Sequence, residues 1–593
     1  MRKKSIWMGC LAVMLLCITF VMCKIDSDNV DSERADSDTV DADEIDELKI
    51  QGEDDFLPVY IIAGGSTLSQ NIKVYRAKES CYVFLPSYTD LSALVCSYGE
   101  AVSSVSIGGQ ALSNGETIEK VEIGKNYEIM ITDRKQNVLK YPLIFLQSEN
   151  LPSVFIDTVS GSMDYINAVK GNEEPGYFTC ICADGVVDSQ SLVNRIRGRG
   201  NTSWSNGGGK NQYNVRLKEA SDVLGMGSAR NWVIQSNKFD VSMMKNKLSY
   251  DFAKDIGVPY AIDSEFADLY LNGGYMGTYL ICEKVEIAEN RIDPHNEYLI
   301  ERDDRETLPE ETVESSYGKF MVHNPKEMTE GEYDYITAYL NSTSWSIESA
   351  EYSDDYTNYI DVESFAKLFI MNEISNDPDA NRLSSFFYKE DENNSKLTAG
   401  PVWDFDWAYG VDARSGEIKV SGFEDGWFED LYRSQIFRDC LVEIFEKIMD
   451  ETYENYGDDY FESEKDYLLP SYYMNMIRWK TEGDIDTAAS NLDKSVEEVQ
   501  EYFRNRIEYL SEVFDGNWTY HRVNFVYDSG KNFTHTYVKN GTTIPKETVE
   551  HLLSVYGCVP GRLTNDEEID WITYVIFEDV DLECQVPETG ADE

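Results

Sequence analysis

Two carboxylates interrupt a run that is otherwise apolar enough to be buried. Residues 397–410 read Leu-Thr-Ala-Gly-Pro-Val-Trp-Asp-Phe-Asp-Trp-Ala-Tyr-Gly, which sets Asp404 and Asp406 among large aromatic residues. Two like charges buried side by side are unfavourable unless something compensates them, so this segment limits what the chain can build around it. Strand side chains alternate between faces, which predicts Asp404 and Asp406 on one face and Trp403, Phe405 and Trp407 on the other. Two solutions fit. Either the acids end a strand and bond to neighbouring loops, or they hold a hard divalent cation such as Mg²⁺, which takes oxygen ligands and commonly binds with a phosphate.

The preceding residues carry a second acid of interest. Asp361 to Ser375 reads as a helix with Val362, Phe365, Ala366 and Phe369 on one face and Asp361 at the N-cap. A polar loop, Asn376 to Arg382, follows, and Pro378 within it disfavours further helix. An aromatic strand from Ser384 to Lys389, a polar turn from Glu390 to Ser395 and the Asp404 segment complete the order. Protein kinases present a catalytic base and then a metal-holding Asp in that order, with Asp379 standing as the base here and Asp404 as the ligand.

Upstream, Arg195, Arg197 and Arg199 would point the same way from a strand, with Gly198 and Gly200 allowing close backbone approach. Such a surface suits a triphosphate, to which Asn201 and Lys218 add a donor and a charge. The alternative is a structural network with the abundant carboxylates. Glu283 and Lys284 end the apolar Tyr279 to Cys282 strand, either near a nucleotide base or as a strand cap. Ser205 to Lys210 lacks the glycine spacing and the hydroxyl of a phosphate loop and reads as a turn. A helix is expected from Met243 to Ile256, burying Met244, Leu248, Phe252 and Ile256 and stopped by Gly257 and Pro259.

Four segments, Arg195 to Trp204, Ala229 to Val233, Leu271 to Leu280 and Gly400 to Asp406, together resemble the CotH family of spore-coat-type atypical kinases over residues 151–514. The resemblance implies a kinase-like fold, an ATP- and Mg²⁺-dependent transfer to Ser or Thr of a protein, Asp379 as the catalytic residue and Asp404 as the principal metal ligand. The chain departs from that pattern in two places. Asp377 stands where the family usually carries Asn, and Ser384 stands where ordinary kinases place the Asn five residues after the base. Asp406 is the candidate for the missing oxygen, unless the site holds one ion only.

The rest of the 593 residues divides by composition. Residues 1–23 have Arg2, Lys3 and Lys4 before an apolar stretch, the layout of an export signal, and Cys23 closes it. The outcomes are a lipidated Cys23 or an uncleaved membrane anchor, either of which holds the chain at the cell surface, or simple secretion; each predicts export from the cytoplasm. Residues 24–55 hold fourteen Asp or Glu against three Lys or Arg and no aromatic residue, which predicts a disordered, self-repelling tether. Residues 56–150 alternate β-prone runs (Pro58 to Ala63, Cys81 to Leu85, Lys120 to Ile123, Tyr127 to Thr132) with turns and read as an immunoglobulin-like β-sandwich. Residues 151–516 read as an α+β domain, kinase-like as the resemblance implies, closed by a helix from Val496 to Phe514. Residues 517–582 read as a small β-rich module similar to Listeria-Bacteroides surface repeats, and residues 583–593 as an acidic tail.

A net charge of −56 argues against nucleic-acid partners and would attract a basic, Ser-rich protein substrate. Eight of the eleven cysteines lie beyond the export signal; Cys81 and Cys96 are the expected local pair if disulfides form. Scattered histidines and the lack of paired Cys-x-x-Cys motifs make zinc improbable and weaken a Ser-His-Asp hydrolase. A second class of function remains open: an adhesion or assembly protein that keeps the scaffold without chemistry and binds wall polymer or carbohydrate.

Overall fold

In the computed structural model the described residues are 56–585, apart from 66–67, 206–208, 306–311, 316, 394, 411–419, 422–425, 481–483, 515–519, 528–529, 531 and 565–566. The export signal, the acidic tether and all but the first three residues of the acidic tail fall outside them.

Alternation builds the N-terminal region. Phe56–Gly64 buries Leu57, Val59, Ile61 and Ala63, every second residue, as a half-covered strand does. Nine such strands join in one hydrogen-bonded order, all antiparallel except Ser80–Leu85 beside Val138–Gln147. The expected runs at 58–63, 81–85 and 127–132 are strands, but Lys120 to Ile123 is not. Lys120 has a left-handed backbone (φ 50) and Gly124 follows at φ 74, so that segment turns. Cys81 and Cys96 are buried free thiols. Their strands are separated by Ser69–Ala77 and Phe56–Gly64, roughly 14 Å at ordinary strand spacing and beyond the reach of a disulfide.

The central region begins with a closed seven-stranded barrel, sealed where Ser153–Thr158 runs parallel to Ser264–Leu271. Val154, Ile196, Val215, Trp232 and Leu269 fill its interior, which leaves the alternate residues of the same strands facing outward. A five-stranded sheet follows, in which Tyr298–Arg302 lies between Gly318–Asn324 and Ser385–Lys389. Helices Glu330–Glu348 and Val362–Ser375 pack on it, Asp458–Lys480 packs on the barrel strand Gly274–Glu283, and Lys245–Asp255, Gln435–Glu451 and Ile485–Val513 complete the helical part. The last starts earlier than its apolar pattern suggested, because the Asp484 side chain caps it by accepting from Thr487 N (2.9 Å) and Ala488 and Leu492 are already buried.

The N-terminal region is fused to this unit by a buried polar junction. Asp268 is fully buried and accepts from Tyr275 Oη (2.8 Å) and Ser471 Oγ (2.7 Å), while Ser471 also contacts Ser148 Oγ at 2.7 Å. Burial pushes the Asp268 carboxyl up to about 6, against the pull of those hydroxyls. A raised carboxyl binds its proton more tightly in the folded chain than in the unfolded one. Its contribution to stability is therefore lost as pH rises from about 4 to about 6, by on the order of 3 kcal/mol at most. The pH profile of Tm should slope downward less in Asp268→Asn than in the parent across that window; identical slopes would show that Asp268 titrates as it does unfolded.

The C-terminal region is β-rich, with Asn532–Lys539, Tyr520–Val526, Val580–Gln585 and Val559–Leu563 in one sheet, to which Val420–Ser421 of the central region adds an edge. It also contains a helix, Lys546–Tyr556, that the sequence reading did not anticipate. Its Val549, Leu552, Leu553 and Tyr556 do carry the helical i, i+3, i+4, i+7 spacing, and Val549 and Leu552 pack into the module's core.

Candidate functional site

Helix Val362–Ser375 delivers the first acid. Asp361 caps it by accepting from Ser364 N at 2.8 Å, and Asn376 ends it in the left-handed conformation (φ 46, ψ 44). The Asp377 side chain then accepts from Asp379 N (2.8 Å), a tight turn that aims Asp379 into a cleft. Asp377 itself is buried, and its Oδ2 has no hydrogen-bond partner among the described residues. Burial, and then the neighbouring Asp379, Asp404 and Asp406, hold its carboxyl well above the usual range.

The Asp404 segment is not the strand its alternation suggested. Pairing stops at Thr398–Ala399, and Asp404 takes a left-handed backbone (φ 68). Both carboxylates do line the cleft, but so do Trp403 and Trp407, since a reverse turn does not alternate faces. Helix Lys245–Asp255 imposes this turn from a distance. Asn246 accepts from Phe405 N (2.9 Å) and donates to Asp406 Oδ1 (2.7 Å), and Lys245 Nζ donates to Ala408 O (2.6 Å). Asp406 is 8 % exposed. Its burial and the nearby Asp404 push it up to about 7, with Asn246 pulling the other way. Asp404 is raised too, by the protein around it and by Asp379 and Glu301, against Arg199 and Arg305; water in the cleft, to which it is exposed, screens part of that effect.

The cleft has a volume of about 490 Å³ and lies against the outer face of the barrel. It gathers Asp379, Asp404 and Asp406 with Arg197, Arg199 and Asn201. Arg199 donates to Gln212 Oε1 (3.0 Å) and lies over the Trp403 ring at 5.1 Å. Gly198 is required because a Cβ there would stand 2.2 Å from the Trp204 ring.

Two expected residues are elsewhere. Lys218 shares the parity of Arg216 but lies exposed and lines neither this cleft nor its neighbour. Glu283 is buried in an ion pair with Arg291 and accepts from Asp263 N (3.0 Å), which braces the barrel's rim, and it does not line this cleft. Conversely, Glu301, Asp303, Arg305 and His323 line the cleft and escaped the sequence reading. The alternation of Glu301, Asp303 and Arg305 past an apolar strand was the available signal. Glu301 meets His323 at 2.6 Å.

Among the described residues no group of three Asp, Glu, His or Cys side chains converges closely enough to enclose a metal ion by itself. The cleft instead offers an open set of carboxylate oxygens beside guanidinium groups. Such a set is suited to an ion that shares its coordination with a phosphate-bearing ligand.

The profile of a family described as CotH kinase protein matches residues 196–510, which hold Arg197, Arg199 and the cleft aspartates Asp303, Asp379, Asp404 and Asp406. Inner spore coat protein H of Bacillus subtilis (strain 168) is 21% identical over 313 residues, covering 51% of this chain and 83% of that protein. With the match spanning more than half of the 593 residues and the cleft acids inside it, this chain belongs to the CotH kinase protein family.

Proposed function

We propose that the chain transfers the γ-phosphate of ATP to a Ser or Thr hydroxyl of a protein. The observation that carries this reading is the convergence, in one cleft between the barrel and the helical part, of Asp379 with the Asp404–Asp406 pair and with Arg197 and Arg199. A kinase-like organisation, strands on one side of a nucleotide cleft and helices on the other, is consistent with that layout. The donor set fits a hard cation: Asp406 has one oxygen engaged by Asn246, Asp404 faces the cleft, and the softer donor on the lining, His323, is engaged by Glu301. Mg²⁺ held by Asp404 and Asp406 would supply charge neutralisation to the donor's phosphates. Arg197 and Arg199 bind and orient those phosphates, and Asp379 accepts the proton of the incoming hydroxyl. An adhesive role offers no reason to hold raised carboxyls together in a cleft.

The test is Mg²⁺-dependent transfer of label from γ-labelled ATP to a basic, Ser-rich protein. Absence of transfer to any such acceptor and to the chain itself would overturn the proposal. The negative net charge favours a basic acceptor, and the coat-protein relative supports a location at a surface. No helix among the described residues is long and apolar enough to cross a membrane; the export signal and Cys23 are the proposed means of attachment. Recovery of the chain solely from the cytoplasm of its native cell would sink that part.

Asn246 is a positioning residue in this scheme. Asn246→Ala should weaken Mn²⁺ binding, followed by electron paramagnetic resonance, by about 10- to 100-fold, as loss of a supporting partner does at metal sites. Unchanged affinity in a folded variant would show that Asp406 is no ligand.

A further inference from the structure

The barrel's outward face carries more positive charge than the proposed reaction uses. Register sets Arg195 directly opposite Arg216, and Asn231 beyond it. Like charges opposed across a strand pair are unfavourable unless an anion meets them. These residues open into a second cavity of about 520 Å³, continuous with the first through Arg197, Arg199, Trp403 and Phe386. Its cationic lining includes Arg195, Arg216, Lys284 and Lys326, whereas Asp379, Asp404 and Asp406 do not reach it.

Acids do little to balance that charge, in a chain with 108 acidic and 52 basic residues. Among the described residues Glu286 is the sole carboxylate on the lining, and it already accepts from Asn231 Nδ2 at 2.7 Å. Lys284 reaches Glu286 only at 3.7 Å, and the pair between Arg195 and Glu173 (3.4 Å) is half exposed. Arg216 Nε is buried with no hydrogen-bond partner. Burial pulls the Lys284 ammonium down, partly offset by Glu286 and reinforced by Lys326, Arg197 and Arg195. Planar guanidinium groups presented together match phosphate oxygens bidentately, and the apolar Val233, Leu299 and Phe386 exclude water beside them.

We infer that this second cavity binds a phosphate-rich small molecule through Arg195, Arg216, Lys284 and Lys326 without a metal ion. The inference rests on the proposed function only in assigning the first cavity to the donor's terminal phosphate. The phosphates have two possible sources, the inner phosphates of the donor nucleotide or a separate polyphosphorylated ligand.

The experiment titrates inorganic tripolyphosphate calorimetrically into the full chain in EDTA. Binding is expected, falling steeply with salt. The pair Arg195→Gln with Arg216→Gln should weaken it by more than about tenfold, and Lys326→Glu, on a solvent-exposed side chain that cannot disturb the fold, by several-fold. Asp404→Asn should leave it in place. Displacement by Mg–ATP identifies the donor's own phosphates as the occupant; simultaneous binding identifies a separate ligand. No binding in EDTA, equal binding by folded Lys326→Glu and by the arginine pair, or a loss confined to Asp404→Asn overturns the inference. None of these readouts depends on phosphoryl transfer, so failure of the kinase reading would be seen separately.

Discussion

If the chain is the proposed kinase, Asp379→Asn and Asp404→Asn should each lower phosphoryl transfer by about 10²-fold or more, but for different reasons that binding measurements separate. Asp379 sits at the end of a turn in which its backbone N–H donates to the Asp377 side chain. Its replacement removes the group proposed to accept the hydroxyl proton, a contribution of about 10²–10⁴-fold, and should leave any Mg–ATP-induced thermal stabilisation intact. Asp404 faces Arg199 across the cleft and lies against Asp406. Its replacement abolishes that Mg–ATP-induced stabilisation as well as transfer. The free variant should be as stable as the parent or more so near neutral pH. A carboxyl whose folded pKa is raised destabilises the fold above that pKa, and neutralising it relieves the repulsion on Asp406. Transfer that survives either substitution would refute the site assignment.

Arg506→Met destabilises the chain by about 3–5 kcal/mol, the largest effect expected from a side chain outside the cleft. Arg506 is completely buried, donates through Nε to Glu373 O (2.6 Å) and pairs through Nη2 with Glu373 Oε2 (2.7 Å). Glu373 is equally buried, near the end of the helix that leads into Asp379, and His535 of the C-terminal sheet approaches it at 3.8 Å. Truncating the arginine strands a carboxylate in the interior. Adding Glu373→Leu to Arg506→Met should recover much of the loss, because removing both charges removes the desolvation penalty along with the attraction. The guanidinium chloride midpoint reads both. A single-variant loss under about 1 kcal/mol would mean that the pair is hydrated on folding. Because Glu373 anchors the helix end, the single variant should also lose transfer activity at temperatures where it remains folded.

Much of the cleft could be read from order and residue type. The helix before Asp379 declares itself through the Asp361 cap and its apolar spacing, and the aspartates at 404 and 406 stand out against their aromatic surroundings. The strand assigned to those aspartates failed because a left-handed Asp404 is held by Asn246, more than 150 residues away, and no local propensity encodes that bond. Glu283 illustrates the same limit. As the end of an apolar strand it was compatible with a base-binding role, and only the position of Arg291 turns it into a brace. Lys218 has the right parity on its strand, but parity does not say where a neighbouring surface stops covering that strand.

The sequence by itself determined which chemical groups this protein possesses and their order along the chain: a basic strand, a capped helix, an acid in a turn and a pair of acids among aromatics. Tertiary structure decided which of them meet. The barrel closes by pairing Ser153–Thr158 with Ser264–Leu271, and the outward arginines acquire a facing wall only when the sheet around Tyr298–Arg302 packs opposite. Those decisions depend on joining segments about 100 residues apart. The loop entropy of each closure is offset only by contacts the whole fold supplies at once, so spacing and propensity, which act over a few residues, carry no record of them.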